Sequence, residues 1–123
     1  MCGIAGYSSG SQTGLGIEGL ASAKDILAHR GPDDAGVFMD AEQGIGLAHT
    51  RLSILDLSPL GHQPMLSDDG RVVLVFNGEI YNFRELRAEL EAAGHIFHGH
   101  SDTEVLLNLY LAWRAHGGDL AET

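Results

Sequence analysis

The order of elements written into the sequence predicts an α+β fold, layered rather than regularly wound. Three observations carry this reading. Strand-like apolar runs come in groups instead of alternating with helices, two late helices bear capping signals, and no repeat or linker divides the 123 residues. The length suits a single domain with a core of its own.

Each element can be justified in turn. "CGIAGY" alternates small and apolar residues as a buried strand does, and "SSGSQTGLG" then breaks it with a Gly/Ser-rich loop. Residues 17–29 carry Leu20, Ala23 or Lys24, and Leu27 at helical spacing, and Gly31 with Pro32 stops that helix. "GVFMD" and "GIGLAHTRLSIL" read as two strands joined by the turn-prone "AEQG", hence a hairpin. After the loop "SPLGHQPMLSDDG", the β-branched run "RVVLVF" has the continuous apolar character of a central strand and ends at "NGEIYN". Asn82 and Glu85 form a capping box for "FRELRAELEAA", with Leu86, Leu90 and Ala93 facing inward and Gly94 as terminator. Ser101 and Glu104 form a second box at the head of "DTEVLLNLYLAWRAH", which Gly117 and Gly118 end.

Composition excludes several roles. Seventeen acidic residues against seven basic ones give a formal charge of −10, which repels polyphosphate and argues against nucleic acid or an anionic membrane as partner. Any bound anion must therefore meet a locally placed Arg. One cysteine forms no internal disulfide, and the N-terminus lacks the pattern of a secretion signal, so a cytoplasmic location is expected. "VLLNLYLAW" is too short to span a bilayer and reads as a buried helix.

The single cysteine is the second residue. A thiol attacks as its thiolate and needs a base or a positive neighbour. Removal of Met1 would free the α-amine of Cys2 within reach of its own thiol, and an α-amine with an ordinary pKa of roughly 7.7 to 8.0 is a suitable base at neutral pH. One residue then supplies nucleophile and base together. Taken alone, Cys2 reads more readily as a small apolar residue of the first strand.

"MCGIAGY", "RGPDDAG", "LAHTRLSILDLSPLGHQPM", "VFNGEIYNFRELRAEL" and "SDTEVLL", in this order over nearly the whole chain, resemble the glutaminase domain of class II glutamine amidotransferases of the asparagine synthetase type. The resemblance implies an N-terminal-nucleophile hydrolase fold, a four-layer α-β-β-α sandwich, with residues 1–123 as the N-terminal part of such a domain. It implies that glutamine is split to a Cys2 thioester and ammonia. By matching positions, Asn77 and Gly78 would donate to the oxyanion, Arg51 would pair with the substrate α-carboxylate, and Glu79 and Asp102 would accept from its α-ammonium. Leu52 and Ile54 would line the pocket. Singly these residues have plainer readings: Asn-Gly as a hairpin turn, Asp102 as a first-turn acid, Arg51 and Glu79 as solvated charges. Their ordered combination is what makes the signal specific.

Other signals fail their own context. "GLGIEG" matches a dinucleotide-binding pattern at Gly14, Gly16 and Gly19, yet no strand leads into it. In "HIFHGH", a strand would put His98 and His100 on one face and His95 on the other, which disfavours a metal site. No Cys-His-Asn arrangement of a papain-like protease can be placed. Two departures from the family accompany the resemblance. The chain ends before the strands that complete the second sheet and before an ATP-binding S-G-G-x-D-S segment, so the synthetase domain, with its ATP and Mg²⁺, is expected outside it. An incomplete sandwich exposes strand edges, which predicts self-association. Retained Met1 would leave the Cys2 nitrogen an amide and no base. An inactive structural piece, or an amidotransferase serving an acceptor other than aspartate, are the alternatives.

Overall fold

The computed structural model describes residues 1–9, 16–53 and 58–118. The elements are β1 (Gly3–Ser8), α1 (Gly16–Ile26), β2 (Asp34–Asp40), β3 (Ile45–Arg51), β4 (Met65–Leu66), β5 (Val73–Leu74), α2 (Phe83–Ala92) and α3 (Asp102–Ala115), with short 3-10 turns at Ala28–Arg30 and Pro59–Gly61. Mixed helices and small antiparallel sheets make this an α+β protein.

The larger sheet has the order β1-β3-β2, and its centre is β3, whose residues 48–51 are all buried. Both neighbours run antiparallel to it, and the register places Gly3, Ala5 and Tyr7 opposite Thr50, Ala48 and Gly46. Directly opposed residues share a face, so this face is built mostly from small side chains, with the Tyr7 ring over Gly46. α1 lies on this face. A Cβ at Gly46 would come 2.6 Å from Leu20 Cδ1, and one at Gly3 would come 2.6 Å from Thr50 Oγ1 and 3.0 Å from Leu27 Cβ. Leu20 is fully buried there, a contribution of roughly 1.5–3 kcal/mol. The helix exit is tied down by Thr50 Oγ1, which donates to the Leu27 carbonyl at 3.0 Å. α1 ends at Ile26, before Leu27, and continues only as the 3-10 turn.

The expected β2–β3 hairpin forms, closed by Asp40 Oδ1, which accepts from Glu42 N and Gln43 N at 3.0 Å each, and by Gly44 at φ +66°. Its opposite face carries His49, Arg51 and Gly36. A Cβ at Gly36 would collide with the Gln63 carbonyl and the His62 ring, so the 58–66 segment rests directly on this face. There, His62 Nδ1 and Asp34 Oδ2 pair at 2.6 Å.

The run "RVVLVF" behaves differently from the expected central strand. Only Val73–Leu74 enters a ladder, with β4 as its neighbour, and residues 72–76 are half-buried. A strand is made by its partners as much as by its own composition, and among the described residues β5 has one.

The two late helices start unlike each other. Ser101 Oγ accepts from Glu104 N at 3.3 Å, as a cap should, but the Glu104 carboxylate reaches past Ser101 to His98 N and Gly99 N at 2.6 and 2.8 Å. Asn82 makes no side-chain cap bond, because φ −94° and ψ 23° place it in a turn rather than in the extended conformation from which a cap side chain reaches forward. Gly94 ends α2 at φ +95°, with Gly94 N donating to Glu91 O and His95 N to Leu90 O. Leu90 is buried and Leu86 half-buried, whereas Ala93, already past the helix, is exposed. Val105 and Leu107 are buried on α3, while its last turns, including Trp113, face outward. Residues 95–100 form no strand: His95 Nδ1 pairs with Asn108 Oδ1 and His98 Nε2 with Asp68 Oδ1. No described helix is long and apolar enough to cross a membrane.

Candidate active site

At the C-terminal end of β3 a cleft of about 320 Å³ opens between the N-terminus, the 76–81 segment and the head of α3. Cys2, Arg51, Leu52, Asn77, Gly78, Glu79 and Asp102 all line it. Of the residues singled out in the sequence only Ile54 is missing from this group, and it lies outside the described residues.

Cys2 owes its place to the sheet. It stands just before the β1–β3 ladder, whose first pair is Gly3 with Thr50, and so comes to rest beside the chain leaving β3. Its Sγ accepts from Leu52 N at 3.4 Å and stands 3.9 Å from Leu52 O. The Cys2 carbonyl accepts from Arg30 Nε at 3.3 Å. Asp33 Oδ2 accepts from Ser53 N at 2.9 Å, and Asp33 N donates to Arg51 O at 3.0 Å, which fixes the strand that meets the thiol. Met1 is exposed and lies at the mouth of the same cleft. While its peptide bond is intact the Cys2 nitrogen has no basic lone pair.

Arg51 is the last residue of β3 and is buried. Its Nη1 donates to Ser58 O at 3.0 Å, and the guanidinium packs flat against Gly61, where a Cβ would overlap it. Among the described residues no carboxylate pairs with this side chain, and Arg51 lines the cleft. A carboxylate ligand is its natural complement.

Asn77, Gly78 and Glu79 are exposed to the cleft. The segment is pinned at both ends. Phe76 N donates to Gln63 Oε1 at 2.6 Å, and Phe76 O accepts from His49 Nε2 at 3.2 Å. At the far end Ile80 N donates to buried Asp102 Oδ2 at 3.0 Å. Gln63 is buried and held in turn by Thr103 Oγ1, to which its Nε2 donates at 3.3 Å. Asp102 itself lines the cleft.

Sequence reasoning did not single out Gln63, His49 or Thr103. A polar residue before a proline, in a loop, carries no signal of burial, and His49 reads as one of seven histidines. Burial is what sets His49 apart: it lowers the imidazole pKa below its ordinary value, the hydrogen bond to Phe76 opposes this, and Arg51 adds to the lowering. The ring is neutral at pH 7. Since a carbonyl only accepts, Nε2 carries the proton and Nδ1 does not.

A thiol, a desolvated guanidinium, two carboxylates and an exposed amide in one cleft suit a small amino acid with both charged ends engaged and its side chain directed at sulfur. Comparison with known proteins agrees with this chemistry. A family model described as "Glutamine amidotransferase domain" matches residues 1–121. Asparagine synthetase [glutamine-hydrolyzing] 1 of Bacillus subtilis is 44% identical over 113 residues, covering 89% of this chain and 17% of its own length. Amidase chry2 of Gibberella zeae is 43% identical over 94 residues, covering 76% of this chain and 14% of its own. Asparagine synthetase [glutamine-hydrolyzing] 3 of Bacillus subtilis is 38% identical over 117 residues, covering 93% and 19%. The chain thus spans less than a fifth of the length of these relatives. With the family model matched from end to end but for two residues, the chain belongs to the glutamine amidotransferase domain family.

Proposed function

We propose that this domain performs the glutaminase half-reaction, splitting the side-chain amide of glutamine through a Cys2 thioester. The observation that carries it is the convergence on one cleft of residues from four separate stretches of the chain: Cys2 with the only thiol, Arg51 and Leu52, Asn77 to Glu79, and Asp102. Once Met1 is removed, the α-amine of Cys2 takes the thiol proton and sulfur attacks the amide carbon. The carbonyl oxygen becomes an oxyanion, to which the Asn77 side-chain amide and the Gly78 N–H donate. As the intermediate collapses the α-ammonium returns its proton to the leaving nitrogen, and ammonia departs. Water then hydrolyses the thioester to glutamate and regenerates Cys2. Arg51 holds the substrate α-carboxylate, Asp102 and Glu79 accept from its α-ammonium, and Leu52 flanks the aliphatic part.

The layered α+β arrangement supports the N-terminal-nucleophile hydrolase sandwich as the full fold. Ammonia is consumed by an acceptor reaction of asparagine synthetase type, in which ATP and Mg²⁺ act at residues other than those described. The likeness to Amidase chry2, which is not named as an asparagine synthetase, supports a second reading in which the acceptor is other than aspartate.

The decisive experiment is glutaminase assay of the intact protein with mass measurement after exposure to the diazo-ketone analogue of glutamine. Loss of the Met1 mass and a single adduct on Cys2 are expected, with Cys2→Ala inactive and unlabelled. Asn77→Ala is expected to lower kcat by about 10²–10³-fold. Glutamine turnover unchanged by either substitution would defeat the mechanism.

A further inference from the structure

The loop that presents Asn77 and Gly78 is held by side chains where a β-ladder would ordinarily hold it. β5 ends at Leu74, and at Phe76 both backbone polar groups go to buried side chains: the N–H to Gln63 Oε1 at 2.6 Å, the carbonyl to His49 Nε2 at 3.2 Å. The Phe76 carbonyl belongs to the same planar peptide unit as the Asn77 N–H, so a bond to that oxygen fixes the plane from which Asn77 departs. His49 is fully buried on β3, two residues before Arg51, and cannot swing away. Gln63 is locked through its other end by Thr103 Oγ1 at 3.3 Å. Thr103 follows Asp102, which holds Ile80 N at 3.0 Å. The first turn of α3 therefore grips both ends of the loop, Asp102 directly and Thr103 through Gln63, and the residues between stand exposed to the cleft.

We infer that Gln63 and His49 are positioning residues for catalysis, a clamp on the two peptide units that flank the Phe76 Cα, which holds Asn77 and Gly78 at the spot where the oxyanion forms. This rests on the oxyanion role proposed above for that pair. The clamp suits this task for two reasons. Its bonds are part-buried but anchored on His49 and Gln63, both buried, so the groups that hold Phe76 have little freedom to move aside. A neutral imidazole and a carboxamide also place no net charge of their own beside the developing anion. The groups facing His49 are Arg51 on its own strand, Asp34 on β2 and His62 on the 58–66 segment. Of these, Asp34 and His62 are paired with each other at 2.6 Å.

Because donors displaced by a fraction of an ångström lose most of their value, Gln63→Met, which keeps side-chain length and removes both bonds, should lower kcat for glutamine about 10- to 100-fold while KM changes much less. His49→Phe should do the same, and His49→Gln, which retains an N–H near the position of Nε2, should recover most of the loss. The second readout is inhibition by glutamate γ-semialdehyde. Cys2 sulfur adds to its aldehyde carbon, the C=O π pair goes to oxygen, and the thiol proton is taken up, giving a reversible tetrahedral adduct that uses the oxyanion donors. Its affinity should fall in parallel with kcat in Gln63→Met, while the affinity for glutamate, which forms no such adduct, stays unchanged. Joined to Asn77→Ala, Gln63→Met should cause little additional loss, since both act through one group. All assays use the intact protein.

Unchanged kcat in Gln63→Met and His49→Phe, a loss confined to KM, or full additivity with Asn77→Ala would overturn the clamp while leaving the oxyanion reading standing. An Asn77→Ala protein with normal kcat would defeat the oxyanion reading, and the clamp with it. If Gln63→Met does not fold, Thr103→Val removes only the hydroxyl that anchors Gln63 and Thr103→Ser restores it. The valine protein should then be slow and the serine protein should recover, and equal rates in the two would count against the clamp.

Discussion

Gly61 stands where any side chain would meet the Arg51 guanidinium: a Cβ there would overlap Nη2 and come within 2.6 Å of Cζ. Gly61→Ala should therefore push Arg51 off its seat and raise KM for glutamine while kcat changes less, an effect read directly from steady-state kinetics. Arg51→Lys should raise KM too, because an ammonium on a flexible stem replaces a planar fork that grips a carboxylate at two points. If either protein retained the parent KM, Arg51 would not be the carboxylate anchor. At this scale the sequence was most legible. Cys2, Arg51, Asn77 and Asp102 stand out through the ordered blocks that resemble the glutaminase pattern. Gly61 and Gln63 do not, since their importance lies in what is pressed against them.

At the scale of elements, the two late helices make a contrast that composition alone could not draw. Both begin with a cap-like residue followed by Glu at the third position, yet Ser101 receives the Glu104 N–H and Asn82 makes no such bond. Ser101→Ala should cost about 0.5–2 kcal/mol in chemical denaturation, and Asn82→Ala should stay within about 0.5 kcal/mol. Equal losses would show that the Asn82 side chain does cap α2. The difference arises because φ and ψ at the cap are set by the preceding chain, and Asn82 follows a loop whose Ile80 N–H is committed to Asp102. The apolar run at residues 71–76 teaches the same lesson. Its composition is that of a strand, and its hydrogen bonding is decided by which neighbours it has and by the side chains of Gln63 and His49.

For the whole molecule, His49 links the site to stability. Its folded-state pKa is lowered below the ordinary 6.5, chiefly by burial, so below that pH the unfolded chain binds a proton that the folded one refuses. The stability is intact above about 6.5 and declines as pH falls from there toward the folded-state value. Thermal midpoints across this range should drop toward acid, and His49→Gln should flatten that part of the profile. A slope equal to the parent's would assign the acid sensitivity to other groups. The outer edges of β1 and β2 carry no ladder among the described residues, and Ile4, Val37 and Met39 on these strands are exposed. The 123-residue chain alone should accordingly self-associate with rising concentration, and a monomer throughout sedimentation velocity would contradict this.

By itself the sequence determined the α+β class, the hairpin, the glycine-terminated late helices, and the set of residues that its resemblance to the glutaminase pattern marks as candidates for the chemistry. These are local matters: turn residues, apolar periodicity, and functional groups that must be present whatever the fold. Only the tertiary structure decided that Cys2 lies beside Leu52, that Arg51 is buried without an ionic partner among the described residues, and that the loop bearing Asn77 and Gly78 hangs between β3, Gln63 and α3. Those contacts join residues far apart in the chain, and the Gln63–Thr103 bond among them is buried. No stretch of sequence encodes a desolvated hydrogen bond, because its value depends on what the rest of the molecule packs around it.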